Sequence, residues 1–242
     1  MLVRTYPLTC LHDHTSRPHE HEWDQLTYAI TGAMLLHTDS ATWLVPPHRA
    51  VWVPAGVVHV EELRAPVSVR SLFVVPALAK ALPRSCCTVN ITPLMRELIQ
   101  RISRIGALDS KDRMQRNLLG VLLDELFEVP DVPLQLPALR DSRAKRLADA
   151  LRAAPDDDVS IEVLSRRAGA SRRTMERLFL SETTMTVDEW RRRLRLLRGI
   201  ELLARGESVT NAAAEAGYAS TSAFIAVFRR TFGTTPGRYS SC

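Results

Sequence analysis

The residues that could do chemistry divide along the chain into a histidine-rich half and an arginine-rich half. All seven histidines lie between His12 and His59. Imidazole favours metal binding and acid–base catalysis, so the two halves are expected to do different chemistry. Residues 138–242 hold 19 basic residues, 18 of them arginine, and 13 acidic residues. Residues 1–137 hold 13 basic and 14 acidic residues. Because the arginine fork donates paired hydrogen bonds to phosphate and guanine, the second half suggests nucleic acid, with an acidic partner or a plain solvated face as alternatives.

Composition bounds the classes of protein to consider. The chain has 242 residues, 45% of them hydrophobic and 24% charged, which favours one large or two modest globular domains. No apolar run approaches the ~20 residues of a membrane span, and the N-terminus lacks the apolar segment of a secretory signal. No Cys-x-x-Cys pair is present, so a structural zinc site built on thiolates is not expected. Because no secretory signal is found, reduced thiols are expected. The adjacent Cys86 and Cys87 are either a redox pair or two ordinary cysteines. We therefore expect a cytoplasmic, nucleoid-associated protein that does not enter the membrane.

The arginine-rich half contains an internal repeat. Ser160 can cap a short apolar helix, Gly169 interrupts that helix, and Ser171 can cap a second apolar helix. The same order recurs from Ser208 to the helix after Ser220, at an offset of 48 and then 49 residues. Two copies of a helix-turn-helix unit are the economical interpretation.

A longer helix is predicted between the two copies. Its apolar stripe consists of Trp190, Leu194, Leu197 and Ala204, and Gly206 is expected to end it. Residues 191–205 give a rod of roughly 22 Å at 1.5 Å per residue. A rod of this length can hold two helices near the ~34 Å spacing of successive major grooves on one DNA face.

With these motifs in place, residues 143–238 resemble the DNA-binding domain of the AraC/XylS family of transcription regulators. The resemblance lies in SVTNAAAEAGYASTSAFIAVFRRTFGTTPGRY, residues 208–239, and in RLFLSETTMTVDEWRRRLRLLRGIELL, residues 177–203. One departure is residues 182–185, Glu-Thr-Thr-Met, where relatives usually carry a glycine. The resemblance implies a double helix-turn-helix domain that binds double-stranded DNA and, in an activator, contacts RNA polymerase.

In such a unit the N-terminal part of the second helix enters the major groove. The resemblance implies base contacts at Arg173, Glu176 and Arg177, while Arg172 or Arg173 could instead touch only phosphate. The second copy is poor in base-reading side chains, so we expect the first copy to carry more of the specificity. The predicted DNA-binding residues are Arg172, Arg173, Thr174, Glu176, Arg177, Thr221, Ser222, Ala226 and Arg229.

The histidine-rich half predicts short β-strands separated by Pro/Gly turns, at residues 25–31, 42–46, 50–54 and 67–75. Such strands are typical of a barrel or jelly roll. Two segments resemble the two motifs of the cupin fold. The first is His19-x-His21 followed by Gly32, and the second is residues 54–59, Pro-Ala-Gly-Val-Val-His. The resemblance implies that a divalent transition metal would be held by His19, His21 and His59.

Gln25 stands where metal-binding cupins are expected to carry a glutamate. A neutral amide is a poor fourth ligand, which weakens the case for redox catalysis. The alternatives are that the histidines are structural or that they line a pocket for an organic effector. We predict the effector pocket at Trp23, Gln25, Tyr28 and Trp52, with the aromatic residues as barrel core in the alternative interpretation.

Residues 92–128 show helical spacing, with Leu94, Leu98, Ile102 and Ile105 on one predicted face. We expect these helices to pack on the barrel or to form a homodimer. Prolines from residue 130 onward predict an extended linker. The expected domains are a cupin-like effector-sensing barrel at 1–85, a helical packing or dimerisation segment at 86–129, the linker at 130–142 and the DNA-binding domain at 143–242.

The fold class expected is α+β and multidomain, with a cupin-like β-barrel and flanking helices before an all-α domain of two helix-turn-helix units joined by a linker helix. The function expected is a transcription regulator whose barrel senses a small molecule or metal and which controls nearby transport or metabolic genes. The alternatives are a metal-dependent cupin enzyme fused to a DNA-binding domain and an architectural DNA binder that needs no effector. No enzymatic activity is expected.

Overall fold

The computed structural model describes residues 1–127, 134–156 and 159–240. The chain forms two compact units, the first from Met1–Thr38 with Trp43–Leu134 and the second from Asp39–Thr42 with Gln135–Cys242. The predicted linker, 130–142, begins outside the described residues. Its later part contains a short strand at Gln135–Pro137 and the first residue of a helix at Ser142, so this part is not simply extended.

The first unit is built on a β-sheet. Its strands are β1 (Val3–Cys10), β2 (His14–Thr15), β3 (Asp24–His37), β4 (Ala41–Val45), β5 (Arg49–Val53), β6 (Val60–Val74), β7 (Cys87–Asn90) and β8 (Ala107–Leu108). They pair in the order β7-β5-β3-β6-β1-β8, with β2 on β6 and β4 on β3. The four predicted strands overlap β3 to β6, but β3 and β6 run for 14 and 15 residues. β1 was not predicted, because Pro7 and the exposed Tyr6 interrupt its pattern.

Two helices flank this sheet, α1 (Pro93–Ile105) and α2 (Arg113–Phe127). Thr92 caps α1 by accepting a hydrogen bond from the backbone N–H of Met95. The prediction that Leu94 lies on the apolar face is wrong, since its side chain is 49% exposed. Leu98 and Ile102 of the predicted face are buried and Ile105 is half-buried against the core, while Met95 and Ile99 complete the face in place of Leu94. This face shares one hydrophobic core with the sheet residues Leu26, Tyr28, Trp52 and Leu72.

The second unit is helical apart from β9 (Gln135–Pro137) and the first two residues of β4. Its helices are α3 (Ser142–Ala153), α4 (Ile161–Arg167), α5 (Arg172–Thr183), α6 (Val187–Ala204), α7 (Val209–Glu215), α8 (Thr221–Phe232) and α9 (Pro236–Ser240). The four predicted serine caps are confirmed, since each hydroxyl accepts a backbone N–H at the start of α4, α5, α7 or α8. Helix α6 starts with a reciprocal capping box between Thr186 and Glu189, a Thr-x-x-Glu spacing that had not been used to predict where this helix begins.

The joining helix α6 forms the spine of the second unit. Its 18 residues span about 27 Å, longer than predicted because it begins at Val187. Trp190 and Leu197 of the predicted stripe are buried, whereas Leu194 and Ala204 are only half-buried and Ile200 and Leu203 complete the buried face. In the described part of the chain, no helix is both long enough and apolar enough to cross a membrane.

Candidate DNA-reading helices and a histidine cluster

The first candidate site is the exposed face of α5. Ser171 Oγ accepts the backbone N–H of Thr174 at 3.2 Å, which starts α5 directly after the turn from α4. Met175 and Phe179 are buried and anchor the opposite face of the helix. Arg173 and Arg177 are exposed one helical turn apart, and neither forms an ion pair with another described residue. Their guanidinium groups are therefore available to an outside acceptor.

The other predicted residues of α5 contact the protein itself. Glu176 Oε2 accepts the backbone N–H of Val187 at 3.1 Å, in the first turn of α6. Arg172 donates to Asp188 at 3.3 Å and lies 3.7 Å from Glu176 Oε1. Glu176 thus positions α5 against α6, and its predicted base contact stays a prediction. Thr174, half-buried, shares a hydroxyl contact of 3.0 Å with Ser171.

The second candidate reading helix is α8. Ser220 caps it by accepting the backbone N–H of Ala223 at 3.2 Å, while Phe224 and Phe228 are buried beneath it. Of the predicted contacts, Thr221 is half-buried, and Ser222, Ala226 and Arg229 are exposed. Apart from the arginine, these side chains are short, and that α8 offers few base-reading groups stays a prediction.

The third candidate site lies in the first unit, where two distant chain segments bring His19, His21 and His59 together. His19 and His59 form an antiparallel bridge through two backbone hydrogen bonds of 3.0 and 2.9 Å. Their ring centroids are 4.3 Å apart, and the His21 ring lies 5.2 Å from His59 and 6.3 Å from His19. We call these three rings the histidine cluster.

Hydrogen bonds to the outer ring nitrogens set the tautomers of the cluster. His19 Nδ1 lies 3.0 Å from the carbonyl of Arg17, and His59 Nδ1 lies 2.9 Å from the carbonyl of Val57. A carbonyl can only accept, so each Nδ1 carries the proton and each Nε2 keeps a lone pair. Burial lowers the pKa of His59 to about 4, so this imidazole is neutral near neutral pH.

The tautomer of His21 is set by Gln25. The amide Nε2 of Gln25 donates to Glu61 Oε1 at 2.8 Å and to Thr27 Oγ1 at 2.7 Å. A carboxylate can only accept, so this orientation of the amide turns Oε1 of Gln25 toward His21 Nε2, 2.7 Å away. His21 Nε2 therefore donates, and Nδ1 keeps the lone pair. His21 Nδ1 and His59 Nε2 are both buried without a hydrogen-bond partner.

These two orphaned nitrogens test whether the cluster fits a metal ion. Three imidazoles that bind one ion at about 2.1 Å place their ring centroids roughly 5 Å apart, close to two of the three distances in the cluster. Across residues 1–127, 134–156 and 159–240, however, no three His, Cys, Asp or Glu side chains already stand in coordinating geometry. His19 is the exposed member and the one farthest from His21, so its ring would have to turn inward.

The four residues predicted for an effector pocket do not share one face of the sheet. Side chains alternate along β3, so Gln25 points away from Tyr28. Tyr28 and Trp52 belong to the core shared with α1 and α2, and Trp52 Nε1 donates to the carbonyl of Pro83 at 3.1 Å. Gln25 instead contacts the histidine cluster. Tyr28 and Trp52 are thus core residues, as in the alternative interpretation of the aromatic side chains.

Trp23 lies toward the cluster, beside two residues that sequence reasoning missed. The Arg4 guanidinium stands over the rings of both Trp23 and Phe73, at 5.2 and 5.0 Å from their centroids. Phe73 also meets the His21 ring edge-on at 5.1 Å. Arg4 and Phe73 are direct partners in the β1–β6 pairing, and Gln25 faces Phe73 in the β3–β6 pairing. Only the register of the strands reveals this grouping.

The adjacent cysteines lie outside this cluster. Cys86 and Cys87 are half-buried thiols without a disulfide. Burial raises the pKa of Cys86 to about 11, so this thiol stays protonated near neutral pH and reacts slowly with oxidants. This environment favours the interpretation as two ordinary cysteines.

Comparison with known proteins identifies the family. Residues 4–126 match the family described as AraC-like ligand binding domain, and residues 164–241 match a family described as helix-turn-helix domain. The HTH-type transcriptional regulator NimR of Escherichia coli K12 is 35% identical over 237 residues, covering 95% of this chain and 85% of NimR. The chain belongs to the AraC family of DNA-binding transcription regulators and carries an N-terminal ligand-binding domain.

Two further proteins are similar to the chain over a shorter segment or at lower sequence identity. The regulatory protein SoxS of Salmonella typhimurium is 34% identical over 85 residues, which cover 35% of this chain and 79% of SoxS. The crystal structure of ToxT from Vibrio cholerae covers 99% of this chain and 94% of its own, at 14% sequence identity and a TM-score of 0.41.

Proposed function

We propose that this regulator reads its DNA site mainly through α5, with Arg173 and Arg177 contacting bases in the major groove. The observation that carries the proposal is their exposure one turn apart on a helix held from behind by Phe179 and by the link from Glu176 to α6. An unpaired guanidinium can donate two parallel hydrogen bonds to guanine O6 and N7. Arg172 and Thr174 then contribute phosphate contacts or support.

Helix α8 supplies the second contact in this proposal. Its short exposed residues, Thr221, Ser222 and Ala226, fit closely against the bases or thymine methyl groups, and Arg229 reaches a phosphate. The α6 rod keeps α5 and α8 in one body, so that they enter successive major grooves on one face of the DNA. Binding to chromosomal DNA places the protein in the cytoplasm with the nucleoid, where it controls nearby transport or metabolic genes.

Arg177→Ala is expected to weaken specific binding by ~1–3 kcal/mol and to relax preference at one position of the site, because one paired contact to a base is lost. The measurement is selection of bound sequences from a random duplex pool by the full chain at ~0.15 M salt, followed by affinity for the selected site. Arg101→Ala removes the same charge from the exposed side of α1 and is the matched control. An unchanged sequence preference in Arg177→Ala would contradict this role. If the unaltered chain binds DNA tightly but selects no common motif, the result would favour an architectural DNA binder.

We also propose that two copies of the chain associate through the exposed side of α2. Met114 and Val121 are 49% and 44% exposed there, on the same side as the half-buried Leu118. This spacing of four and then three residues makes an apolar stripe that a second copy can cover. If the protein is a homodimer, the selected motif should contain the whole sequence read by α5 and α8 of one chain twice. A motif that contains this sequence once would argue for a monomer. If the regulator activates transcription, its further partner is RNA polymerase.

The third proposal concerns the effector. We propose that the histidine cluster binds a divalent transition metal through His19, His21 and His59, and that a small-molecule effector binds beside it against Trp23. The supporting observation is the pair of buried ring nitrogens, on His21 and His59, that lack any hydrogen-bond partner. A bound metal would satisfy both and would supply an open coordination position for the effector. The cluster is proposed as a binding site, without an enzymatic reaction.

His21→Ala combined with His59→Ala is expected to abolish metal binding, since two of the three nitrogen ligands are removed. The measurement is Zn²⁺ binding by the purified full chain, in competition with a chromophoric chelator. His12→Ala combined with His14→Ala removes two exposed histidines outside the cluster and is the matched control. If the unaltered chain binds no Zn²⁺, Co²⁺, Ni²⁺ or Mn²⁺, the metal proposal fails and the cluster is left as a site for an organic ligand.

A further inference from the structure

We infer that Arg195 is a positioning residue that fixes the spacing of the two reading helices, α5 and α8, by joining the start of the first helix-turn-helix to the turn of the second. The inference rests on the proposal that both helices enter the DNA. Arg195 lies on α6, and its Nε donates to the carbonyl of Pro155 at 2.8 Å. Pro155 and Asp156 form the turn after α3, in the segment that leads into α4.

The two helix-turn-helix units touch each other directly at this point. A Cβ atom on Gly217, in the turn between α7 and α8, would stand 2.5 Å from the carbonyl oxygen of Pro155 and 2.8 Å from Cα of Asp156. The two turns therefore leave room for a glycine hydrogen but not for a side chain. The Nε of Arg195 would lie 2.8 Å from the same Cβ atom, so its guanidinium stands where the two turns meet.

A second arginine of α6 holds the same segment. Arg191, one helical turn before Arg195, donates through Nη1 to the carbonyl of Val159 at 3.4 Å. Val159 directly precedes Ser160, whose hydroxyl caps α4. Hydrogen bonds from a charged guanidinium are roughly twice as strong as bonds between neutral groups. The two arginines thus attach the segment that leads into α4 to the helix that joins the two units.

Arg195 also lies close to the residues that place α8. Burial raises the pKa of Tyr218 to about 12, and the charges of Arg195 and Arg230 oppose this rise. The Tyr218 ring lies 5.1 Å from the ring of Phe224, the first buried residue of α8. A joining helix alone would leave each unit free to pivot about it. Because Arg195 binds one turn beside the other, it removes this freedom and sets how far apart α5 and α8 meet the DNA.

The test is how well DNA binding tolerates a changed spacing between the two elements that one chain reads. The element whose preference Arg177→Ala relaxes belongs to α5, and the element about one helical turn away belongs to α8. One inserted base pair moves the elements ~3.4 Å further apart and turns one against the other by about 35°. The unaltered chain should bind this inserted site about 10-fold or more weakly than the selected site, because one helix loses its base contacts.

Arg195→Met keeps the apolar stem and removes the donors, whereas Arg195→Lys keeps a charged donor for the Pro155 carbonyl. We expect Arg195→Met to bind the selected site more weakly but to lose only a few-fold on insertion, because the loosened units can adjust to the new spacing. Arg195→Lys should retain most of the penalty. Arg192→Met removes the same charge from the exposed side of α6 and is the matched control, which should leave the ratio of the two affinities unchanged. The measurement is fluorescence anisotropy of labelled duplexes with the full chain at ~0.15 M salt.

The outcomes separate this inference from the proposed function. A selected motif with one element, or an unaltered chain that tolerates the insertion, overturns both the DNA contact of α8 and the role of Arg195. An equal loss of affinity for both sites in Arg195→Met shows a merely structural role and overturns only the inference. If Arg195→Met does not fold, Arg191→Met carries the test, since it removes the longer contact to Val159; a smaller relaxation of spacing is expected, and an unchanged ratio overturns the inference. Relaxed spacing in Arg195→Met with recovery in Arg195→Lys supports it.

Discussion

Replacing Trp190 with alanine is expected to destabilise the second unit by about 3–5 kcal/mol. The indole is fully buried and meets Phe179 of α5 edge-on, with their ring centroids 5.7 Å apart. Its Nε1–H donates to the carbonyl of Pro137 at 3.1 Å, and the Arg152 guanidinium stands 5.1 Å over its ring. The variant therefore loses packing against α5, one buried hydrogen bond and one cation–π contact, and it leaves a cavity where α5 and α6 meet.

The measurement is chemical denaturation of the full chain, followed by affinity for the selected DNA site. Leu180→Ala truncates a large apolar side chain that is 56% exposed on α5, and it should change stability by no more than roughly 0.5 kcal/mol. Specific DNA binding should fall along with stability in Trp190→Ala, because the same contact aligns α5 with α6. A loss of stability below 1 kcal/mol would show that the α5–α6 packing does not depend on this side chain.

Gly217→Ala is the second variant for which we expect a large effect. Gly217 lies in the turn between α7 and α8 with φ of +79°, a backbone conformation that costs an alanine about 1–2 kcal/mol. A Cβ atom there would stand 2.5 Å from the carbonyl oxygen of Pro155 and 2.8 Å from the Nε of Arg195. These two atoms are themselves joined by a hydrogen bond of 2.8 Å, so overpacking should add about 1–3 kcal/mol.

Gly206→Ala separates the two contributions. Gly206 has φ of +89°, but a Cβ atom there would meet nothing within 4 Å, so this variant carries the backbone strain without the overlap. The difference in the free energy of unfolding between the two variants, measured by chemical denaturation, should therefore equal the cost of the steric overlap at Gly217. DNA affinity should fall more in Gly217→Ala, since the turn sets the start of α8. Equal destabilisation by the two variants would mean that the segment around Pro155 shifts aside without loss.

The helix-turn-helix units could be predicted because their signals are local. A serine hydroxyl caps the N–H group three residues further along the chain, so the start of each helix can be predicted without reference to any distant residue. The serines that do this are Ser160, Ser171, Ser208 and Ser220. The same holds for the capping box of Thr186 and Glu189, although its spacing was overlooked. The buried face of α1 was harder to predict from the sequence, because Leu94 and Met95 are both apolar and only packing against the sheet decides which is buried.

The candidate sites were harder to predict than the helices, because their residues are brought together by contacts between distant parts of the chain. Exposure of Arg173 and Arg177 follows from helical periodicity, but the use of Glu176 to hold Val187 does not, since it joins two helices across a turn. The effector pocket was assigned from aromatic residue types alone. Alternation along β3 separates Gln25 from Tyr28, but because β3 is buried on both faces its sequence does not show which face packs on the helices. Tyr28 and Trp52 proved to lie in the core with α1 and α2.

By itself, the sequence determined the two-part division of chemistry, the helix-turn-helix repeat with its caps and the family resemblance, since all of these depend on residue types at short, regular spacing. The tertiary structure alone decided which of the histidine-rich residues meet. His19 and His59 are joined by a bridge between segments forty residues apart, and the side chain of Gln25 contacts Glu61 although its partner in the β3–β6 pairing is Phe73. Contacts of this kind depend on the packing of the whole sheet rather than on any local pattern.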